Sequence, residues 1–125
     1  MRLDALNEFA FEDSDQQPRL YGHNGAVVVE LHDEIDLLAY QRLGPLLDPI
    51  TGGTATTVVI DLTRTTFFDC SGIALLVRSH RRATARGARL AVVCTHPLTL
   101  RILRLTGLTP ILLPVSTLEE ALEPE

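Results

Sequence analysis

A cysteine and a serine stand side by side where a strand-like run gives way to a helix-like run. The apolar run Thr57–Leu62 precedes them and the run Ile73–Val77 follows them, while Cys70 and Ser71 themselves lie inside the segment Asp69–Gly72. A hydroxyl at such a junction is exposed and close to the free backbone N–H groups of a helix start, which attract anions. The position therefore predicts a serine that is modified or that binds an anion.

Other chemistries fit these residues less well. A cysteine near a helix start can act as a nucleophile, but a cysteine phosphatase needs an arginine six residues later, where this chain has Leu76. Cys70 is therefore predicted to be a small, partly buried residue. A hydrolase elbow needs Gly-x-Ser-x-Gly, which the segment Asp69–Ile73 does not supply. The four histidines show no metal-ligand spacing. The plain alternative is that Ser71 only caps the helix, because serine is a favoured cap.

The composition excludes several classes of function. All 11 basic residues are arginine, so the chain lacks the amine that P-loop nucleotide binding, Schiff-base chemistry and lysine general bases require. A chain of 125 residues with 46% apolar residues is long enough to bury the core of one domain. Its apolar runs are too short to span a membrane and its start lacks a signal-peptide core, so we expect a cytoplasmic protein without a membrane segment.

Charge is distributed unevenly along the chain, whose net charge is −5. Residues 1–18 contain five acids and one arginine, a net charge of −4, and end in Gln16, Gln17 and Pro18. This composition predicts a flexible acidic tail, residues 1–18, before a folded domain, residues 19–125. A solubilising leader without a further role is the simplest interpretation of that tail.

A second charged feature is a row of arginines in the predicted second helix. Arg78, Arg82 and Arg86 are spaced four residues apart, with Arg81 beside them. Such a row can bind nucleic acid, but the acidic net charge and the absence of lysine argue against direct nucleic-acid binding. A solvated face, favoured by the helix dipole, is the default interpretation, and a docking strip for an acidic partner comes second.

Hydrophobic periodicity and turn residues predict an α/β fold: a mixed sheet of four to five strands, beginning with a hairpin and continuing in βα units, packed with about four helices. The first half of the chain is predicted to form a hairpin over Arg19–Leu31 that turns at Asn24-Gly25, and then a helix from Leu37 to about Asp48, which Asp36 caps and Gly44-Pro45 kinks or shortens. The strand Thr57–Leu62, a helix from Ser71 to Arg86 and the strand Arg89–Cys94 are predicted to follow. The chain is then predicted to end with a helix from Pro97, in which Leu98, Ile102 and Leu105 face inward, the strand Ile111–Leu113, and a last helix with Ser116 and Glu119 as its capping box.

Residues 19–125 resemble the STAS domain, the fold of bacterial anti-sigma factor antagonists. The segment Glu34-Ile35-Asp36 is similar to the family's Gly-Glu-Leu-Asp. Asp61-Leu62 followed by Phe67–Gly72 is similar to the family's Asp-Leu and Phe-Met-Asp-Ser-Ser-Gly. Asp33 departs from the family's glycine and should alter the turn beside the site, and Cys70 stands where the first serine of the family motif occurs.

The resemblance implies a non-enzymatic phosphoswitch. Ser71 matches the second serine of the motif, which implies that it is the phosphoacceptor for a partner kinase. The surroundings of the phosphosite and the partner-binding surface would then comprise Asp36, Asp69, Cys70, Gly72 and Ile73, with Gly72 allowing a partner's backbone to approach closely. The implied partner is an anti-sigma factor that is also a serine kinase. ATP and magnesium would belong to that kinase, the chain itself would need no cofactor, and a separate serine phosphatase would reset the switch.

Two interpretations from other classes stay open at the level of the sequence. The chain can be a STAS scaffold or accessory subunit of a transporter or stress-signalling assembly that is never phosphorylated. It can also be a small enzyme built on Cys70 or Ser71, although no general base is visible near them. Retention of Ser71 in the motif favours the phosphoswitch over both.

Overall fold

The chain enters the sheet through a hairpin that its turn residues dictate. In the computed structural model, which describes residues 17–123, strand β1 (Arg19–His23) pairs antiparallel with strand β2 (Ala26–Ile35). Asn24 and Gly25 between them have φ values of 48° and 87°, and a two-residue type I′ turn requires positive φ at both positions. The predicted hairpin is confirmed, and β2 continues beyond its predicted end. Residues 1–16 of the predicted acidic tail lie outside the described residues.

The remaining elements alternate between helix and strand until the last strand. They are helix α1 (Leu37–Thr51), strand β3 (Thr57–Phe68), helix α2 (Cys70–Ala85), strand β4 (Arg89–Val93), and helices α3 (Pro97–Leu105), α4 (Thr109–Leu112) and α5 (Leu118–Leu122). The sheet order is β1-β2-β3-β4, in which β2, β3 and β4 are parallel. The predicted α/β class and mixed four-stranded sheet are confirmed, with five helices among the described residues.

The central strands are covered on both faces, which explains their unbroken apolar runs. In β3 every residue from Val58 to Leu62 is buried. The larger core cluster joins α1, α2 and α3 to one face of the sheet, and a smaller one places Ala121 of α5 against Val59 and Val93 on the other. Burial of each large aliphatic side chain stabilises the fold by roughly 1.5–3 kcal/mol. Within residues 17–123, none of the helices is long and apolar enough to cross a lipid bilayer.

Helix α1 contains two prolines, of which Pro45 was expected, together with Gly44, to kink or shorten it. Pro45 and Pro49 lie one turn apart, both are exposed, and the helix continues to Thr51. A proline leaves the carbonyl four residues earlier without its helical N–H partner. Because both prolines lie on the solvent side, water can satisfy those carbonyls, so the prediction that the helix ends near Asp48 was wrong by three residues.

Helix α3 faces the core with a different side from the one predicted. Leu98 and Leu105 are 68% and 75% exposed, whereas Thr99 and Leu103 are buried. Apolar residues occupy more than one side of this helix, and the side that carries Thr99 and Leu103 is the one packed into the core. The prediction that Leu98, Ile102 and Leu105 face inward was therefore wrong, although Ile102 is partly buried.

The segment predicted as a last strand is helical instead. Ile111 and Leu112 belong to the short helix α4, and Leu113 ends it in the left-handed conformation with φ of 47°. The strand-like pairing occurs slightly later, where Val115 forms an isolated parallel bridge with Val93. A proline in the first turn of α4 favours the helix, because its fixed φ suits that position.

The last helix starts one residue later than its predicted capping box. Thr117, not Ser116, is the N-cap of α5, and its hydroxyl accepts a hydrogen bond from the backbone N–H of Glu120 at 3.1 Å. The Glu120 carboxylate accepts in turn from the N–H of Ser116 at 3.3 Å. The arrangement is similar to a capping box shifted by one position, except that the glutamate binds the N–H of the residue before the cap.

An ion pair links the outer surfaces of α1 and α2. The Asp48 carboxylate accepts hydrogen bonds from Nε of Arg78 at 3.0 Å and from its Nη2, and lies 3.3 Å from Nε of Arg82. Hydrogen bonding from Arg78 lowers the pKa of Asp48, and Asp48 with Tyr40 raises the pKa of Arg78. These contacts hold the two helices in register beside each other.

Candidate functional site

Two helix starts lie next to each other at the end of the two central strands. Ile35 of β2 pairs with Phe68 of β3, and the next residue in each strand, Asp36 and Asp69, is the N-cap of α1 and α2 respectively. The N–H of Asp69 donates to the carbonyl of Ile35 at 3.4 Å, which ties the two caps together. The parallel register thus brings together two carboxylates that are 33 positions apart in the sequence.

Ser71 lies in the first turn of α2, just after its cap. The Asp69 carboxylate accepts a hydrogen bond from the Ser71 backbone N–H at 2.8 Å, and Asp36 accepts from the N–H of Ala39 at 3.0 Å. Asp69 therefore caps the helix, and the alternative in which Ser71 is the cap was wrong. The Ser71 side chain is left free of the capping role and is partly exposed to solvent.

The three neighbours of Ser71 divide between the surface and the core. Cys70 is exposed, contrary to its predicted partial burial. Gly72 and Ile73 are buried. A Cβ on Gly72 would lie 2.5 Å from the ring of Phe68, so this glycine is required for packing beneath the site. Since it is covered, the interpretation that Gly72 lets a partner's backbone approach is wrong.

The second cysteine of the chain takes no part in the site. Cys94 follows β4 and is buried in the larger core cluster. Its burial raises the pKa of its thiol, which keeps the sulfur protonated and poorly reactive. Cys94 is a core residue.

The turn before the first cap accommodates the departure at Asp33. Asp33 has a φ of 61°, in the left-handed region that glycine favours and that aspartate adopts more readily than most residues. It lies at a shift in the β2–β3 register, between Asp33 and Glu34. The backbone conformation that suits a glycine is thus present with an aspartate, and β2 still reaches Asp36 in position to cap α1.

Exposed apolar side chains surround the two caps. Leu37 and Leu38 in the first turn of α1 are 57% and 71% exposed, and Phe67 at the end of β3 is 50% exposed. Phe67 and the exposed Leu98 of α3 line one cavity of about 160 Å³. We call the surface formed by Leu37, Leu38, Phe67, Leu98 and the Ser71 site the apolar rim. Clustered exposed apolar side chains of this kind mark protein-binding surfaces.

The apolar rim could be found only in part from the sequence. Leu38 is out of phase with the buried positions Ala39, Leu43 and Leu47, and this is a readable sign that it points outward. The spacing of Leu98 with Ile102 and Leu105 predicts instead that Leu98 faces the core. Within residues 17–123, no group of three or more metal-ligating side chains occurs.

A family comparison agrees with this architecture. The family model described as "STAS domain" matches residues 17–121, which is most of the chain. This protein therefore belongs to the STAS domain family, and the resemblance found in its sequence is confirmed.

Individual relatives carry related names. The chain is 29% identical over 100 residues, 80% of its length and 81% of the relative's, to "Anti-sigma-F factor antagonist RsfB" of Mycobacterium tuberculosis. It is 26% identical to an anti-sigma factor antagonist from Mycobacterium paratuberculosis, with a TM-score of 0.79 over 85% of this chain and 90% of that one. It is also 26% identical to the Bacillus cell fate determinant SpoIIAA in the phosphorylated form, with a TM-score of 0.65 over 83% of this chain and 95% of that one.

Proposed function

We propose that this protein is an anti-sigma factor antagonist whose binding to an anti-sigma factor is switched off by phosphorylation of Ser71. The observation that carries the proposal is the position of Ser71: a partly exposed hydroxyl in the first turn of α2, two residues after the acidic cap Asp69 and within an apolar rim. The family membership and the names of the relatives support the same function.

The apolar rim suits the unphosphorylated, binding state. Leu37, Leu38, Phe67 and Leu98 supply apolar area that a partner can bury at roughly 25 cal/mol per Å². Ser71 within this surface adds a small neutral polar group that is easily accommodated. An anti-sigma factor that covers the rim would be held away from its sigma factor, which is then free to direct transcription.

Phosphorylation adds charge at the point where the partner must dock. A serine kinase would transfer the γ-phosphoryl group of ATP to the Ser71 oxygen, with loss of the hydroxyl proton and release of ADP. The product carries about −1.5 to −2 charges at pH 7. The Ser71 N–H, which could have helped to neutralise it, is already bonded to Asp69, and both capping carboxylates repel the phosphate. A penalty of ~3 kcal/mol for covering this charge weakens binding about a hundredfold.

In this proposal the chain is a substrate and a binding protein, not an enzyme. ATP and magnesium belong to the kinase, which is the anti-sigma factor itself. A separate serine phosphatase restores the hydroxyl by hydrolysis and releases inorganic phosphate. The protein acts in the cytoplasm, where transcription takes place.

Phosphate mapping tests the assignment of Ser71. After incubation of the full chain with ATP, magnesium and its cognate anti-sigma factor, mass spectrometry should find one phosphate on Ser71 and none on a Ser71→Ala variant. Phosphate on another residue of the unsubstituted protein would contradict the assignment. Complete absence of phosphate while the two proteins still bind would favour the alternative of an unmodified STAS scaffold or accessory subunit.

A further inference from the structure

Helices α1 and α2 leave a charged groove between them on the outer surface of the fold. One cavity of about 530 Å³ is lined by Tyr40, Asp48, Ala74, Val77, Arg78, Arg81 and Arg82. A second, of about 340 Å³, adjoins it through Arg81 and Arg82 and is lined further by Gly52, Ala85 and Arg86. We call the two cavities together the arginine groove. Four arginines and one aspartate line it, in a protein whose net charge is −5.

The four arginines differ in whether their guanidinium groups are already paired with other groups of the protein. The Arg78 guanidinium is bonded to Asp48 through two of its nitrogens. Arg82 shares that carboxylate at 3.3 Å but remains exposed. Arg81 is also exposed, and its guanidinium forms no hydrogen bond or ion pair with the residues that the structure describes. The groove therefore presents at least two cations that its own acid does not satisfy.

Arg86 adds an unsatisfied donor at the far end of the groove. Its Nε and Nη1 donate to the carbonyls of Thr51 at 2.6 Å and Ala55 at 2.7 Å, which fixes the guanidinium in place. Its Nη2 is buried and has no acceptor among residues 17–123. Because a peptide in the groove cannot reach this buried nitrogen, Arg86 contributes a fixed positive charge to the far end of the groove and not a further hydrogen bond.

We propose that the arginine groove binds an extended acidic segment of a partner protein. Arg78, Arg82 and Arg86 recur every four residues along α2, which is about 6 Å per step. Alternate side chains of an extended peptide repeat at roughly 6.5–7 Å, so carboxylates two positions apart can reach Arg82 and the exposed part of Arg78, one turn away, with the exposed Arg81 beside them. Asp48 shows that a carboxylate fits between two of these arginines.

The location of the groove connects it to the apolar rim. Ala74 at its near end lies about one helical turn beyond Ser71, and Val77 and Tyr40 give that end an apolar wall. A partner seated on the rim can therefore continue into the groove. The inference does not depend on phosphorylation, because the arginines bind carboxylates whether or not Ser71 is modified.

Nucleic acid suits the groove less well than an acidic peptide. Proteins that bind duplex DNA commonly neutralise about six to ten phosphates, and this groove has only four arginines, one of them already paired with Asp48. Single strands need aromatic platforms for their bases, and Tyr40 is the one aromatic residue lining the two cavities. The overall negative charge also repels a polyanion at long range.

A peptide titration of the full chain tests the proposal. The probe is a short capped peptide in which glutamate and alanine alternate. Its binding is measured from the amide chemical shifts of the ¹⁵N-labelled protein. Shifts should concentrate at residues lining the arginine groove and weaken as salt is raised. The double variant Arg81→Gln/Arg82→Gln should bind about tenfold more weakly, since each exposed ion pair contributes only modestly.

Matched controls make the outcome decisive. The double variant Arg101→Gln/Arg104→Gln removes the same charge from exposed positions on α3 and should keep the original affinity within about twofold. A peptide of alternating glutamine and alanine should not bind. Equal loss in both double variants, or equal binding of the glutamine peptide, would overturn the proposal. Tighter binding in the groove by a DNA duplex, or by a peptide of residues 1–18, would also overturn it.

Discussion

Ser71→Ala should hold its anti-sigma factor even in the presence of ATP, whereas Ser71→Asp should bind it about a hundredfold more weakly. Alanine keeps the apolar rim and removes the hydroxyl that accepts phosphate. Aspartate places a permanent charge beside Asp36 and Asp69, and ~3 kcal/mol of desolvation and repulsion corresponds to that factor. Isothermal titration calorimetry with the purified anti-sigma factor measures both affinities.

A second charge substitution controls for net charge alone. Ser116 is also exposed, and it precedes α5, which packs on the opposite face of the sheet from α1 and α2. Ser116→Asp should bind the anti-sigma factor like the unsubstituted protein. Equal affinities for Ser71→Ala and Ser71→Asp would show that the charge at this position does not control binding.

Gly72→Ala should destabilise the fold although alanine is the better helix former. The new Cβ would lie 2.5 Å from the ring of Phe68, which is buried and held between β2 and the core. Overpacking of this kind costs about 1–3 kcal/mol, and the gain in helix propensity offsets about 1 kcal/mol. Urea denaturation should therefore show a net loss of up to about 2 kcal/mol in the free energy of unfolding.

Gly22→Ala is the matched control, because its Cβ would meet nothing closer than 3.8 Å on the exposed strand β1. Its free energy of unfolding should change by less than about 0.5 kcal/mol. If Gly72→Ala proved as stable as Gly22→Ala, the close packing of Phe68 beneath the Ser71 site would be refuted.

Features set by short-range chemistry were predictable from the sequence. The Asn24-Gly25 turn forms a hairpin because both residues accept positive φ, and α2 has its predicted bounds within one residue at each end. The assignment of Asp36 as a cap is also confirmed. A cap binds an N–H only three residues later, so its position depends on the local sequence alone. Local rules of this kind need no knowledge of the rest of the fold.

Features set by packing were not predictable in the same way. Helix α3 carries apolar residues on more than one side, and the sequence pattern alone does not decide that Leu103 is buried and Leu105 exposed. The pairing of Arg78 with Asp48 likewise depends on how α1 lies against α2, 30 positions away in the sequence. The apolar rim is not predictable as a whole for the same reason, because the exposure of Leu98 depends on which side of α3 packs into the core.

The candidate site combines both kinds of feature. The motif around Ser71 is local and can be identified by its resemblance to the STAS family. The structural role of each neighbour of Ser71 depends on the fold and cannot be predicted from the motif. Asp69 holds the Ser71 N–H as the helix cap, and Gly72 serves the packing of Phe68. The adjacency of Asp36 and Asp69 follows from one register pair, Ile35 with Phe68.

The most direct test compares the affinity of one preparation for its anti-sigma factor before and after stoichiometric phosphorylation of Ser71. The kinase is removed after the reaction, and binding is measured with a nucleotide-free anti-sigma factor so that no further transfer occurs. The account predicts that phosphorylated protein binds about a hundredfold more weakly and that phosphatase treatment restores the original affinity. Unchanged affinity in the phosphorylated protein would contradict it.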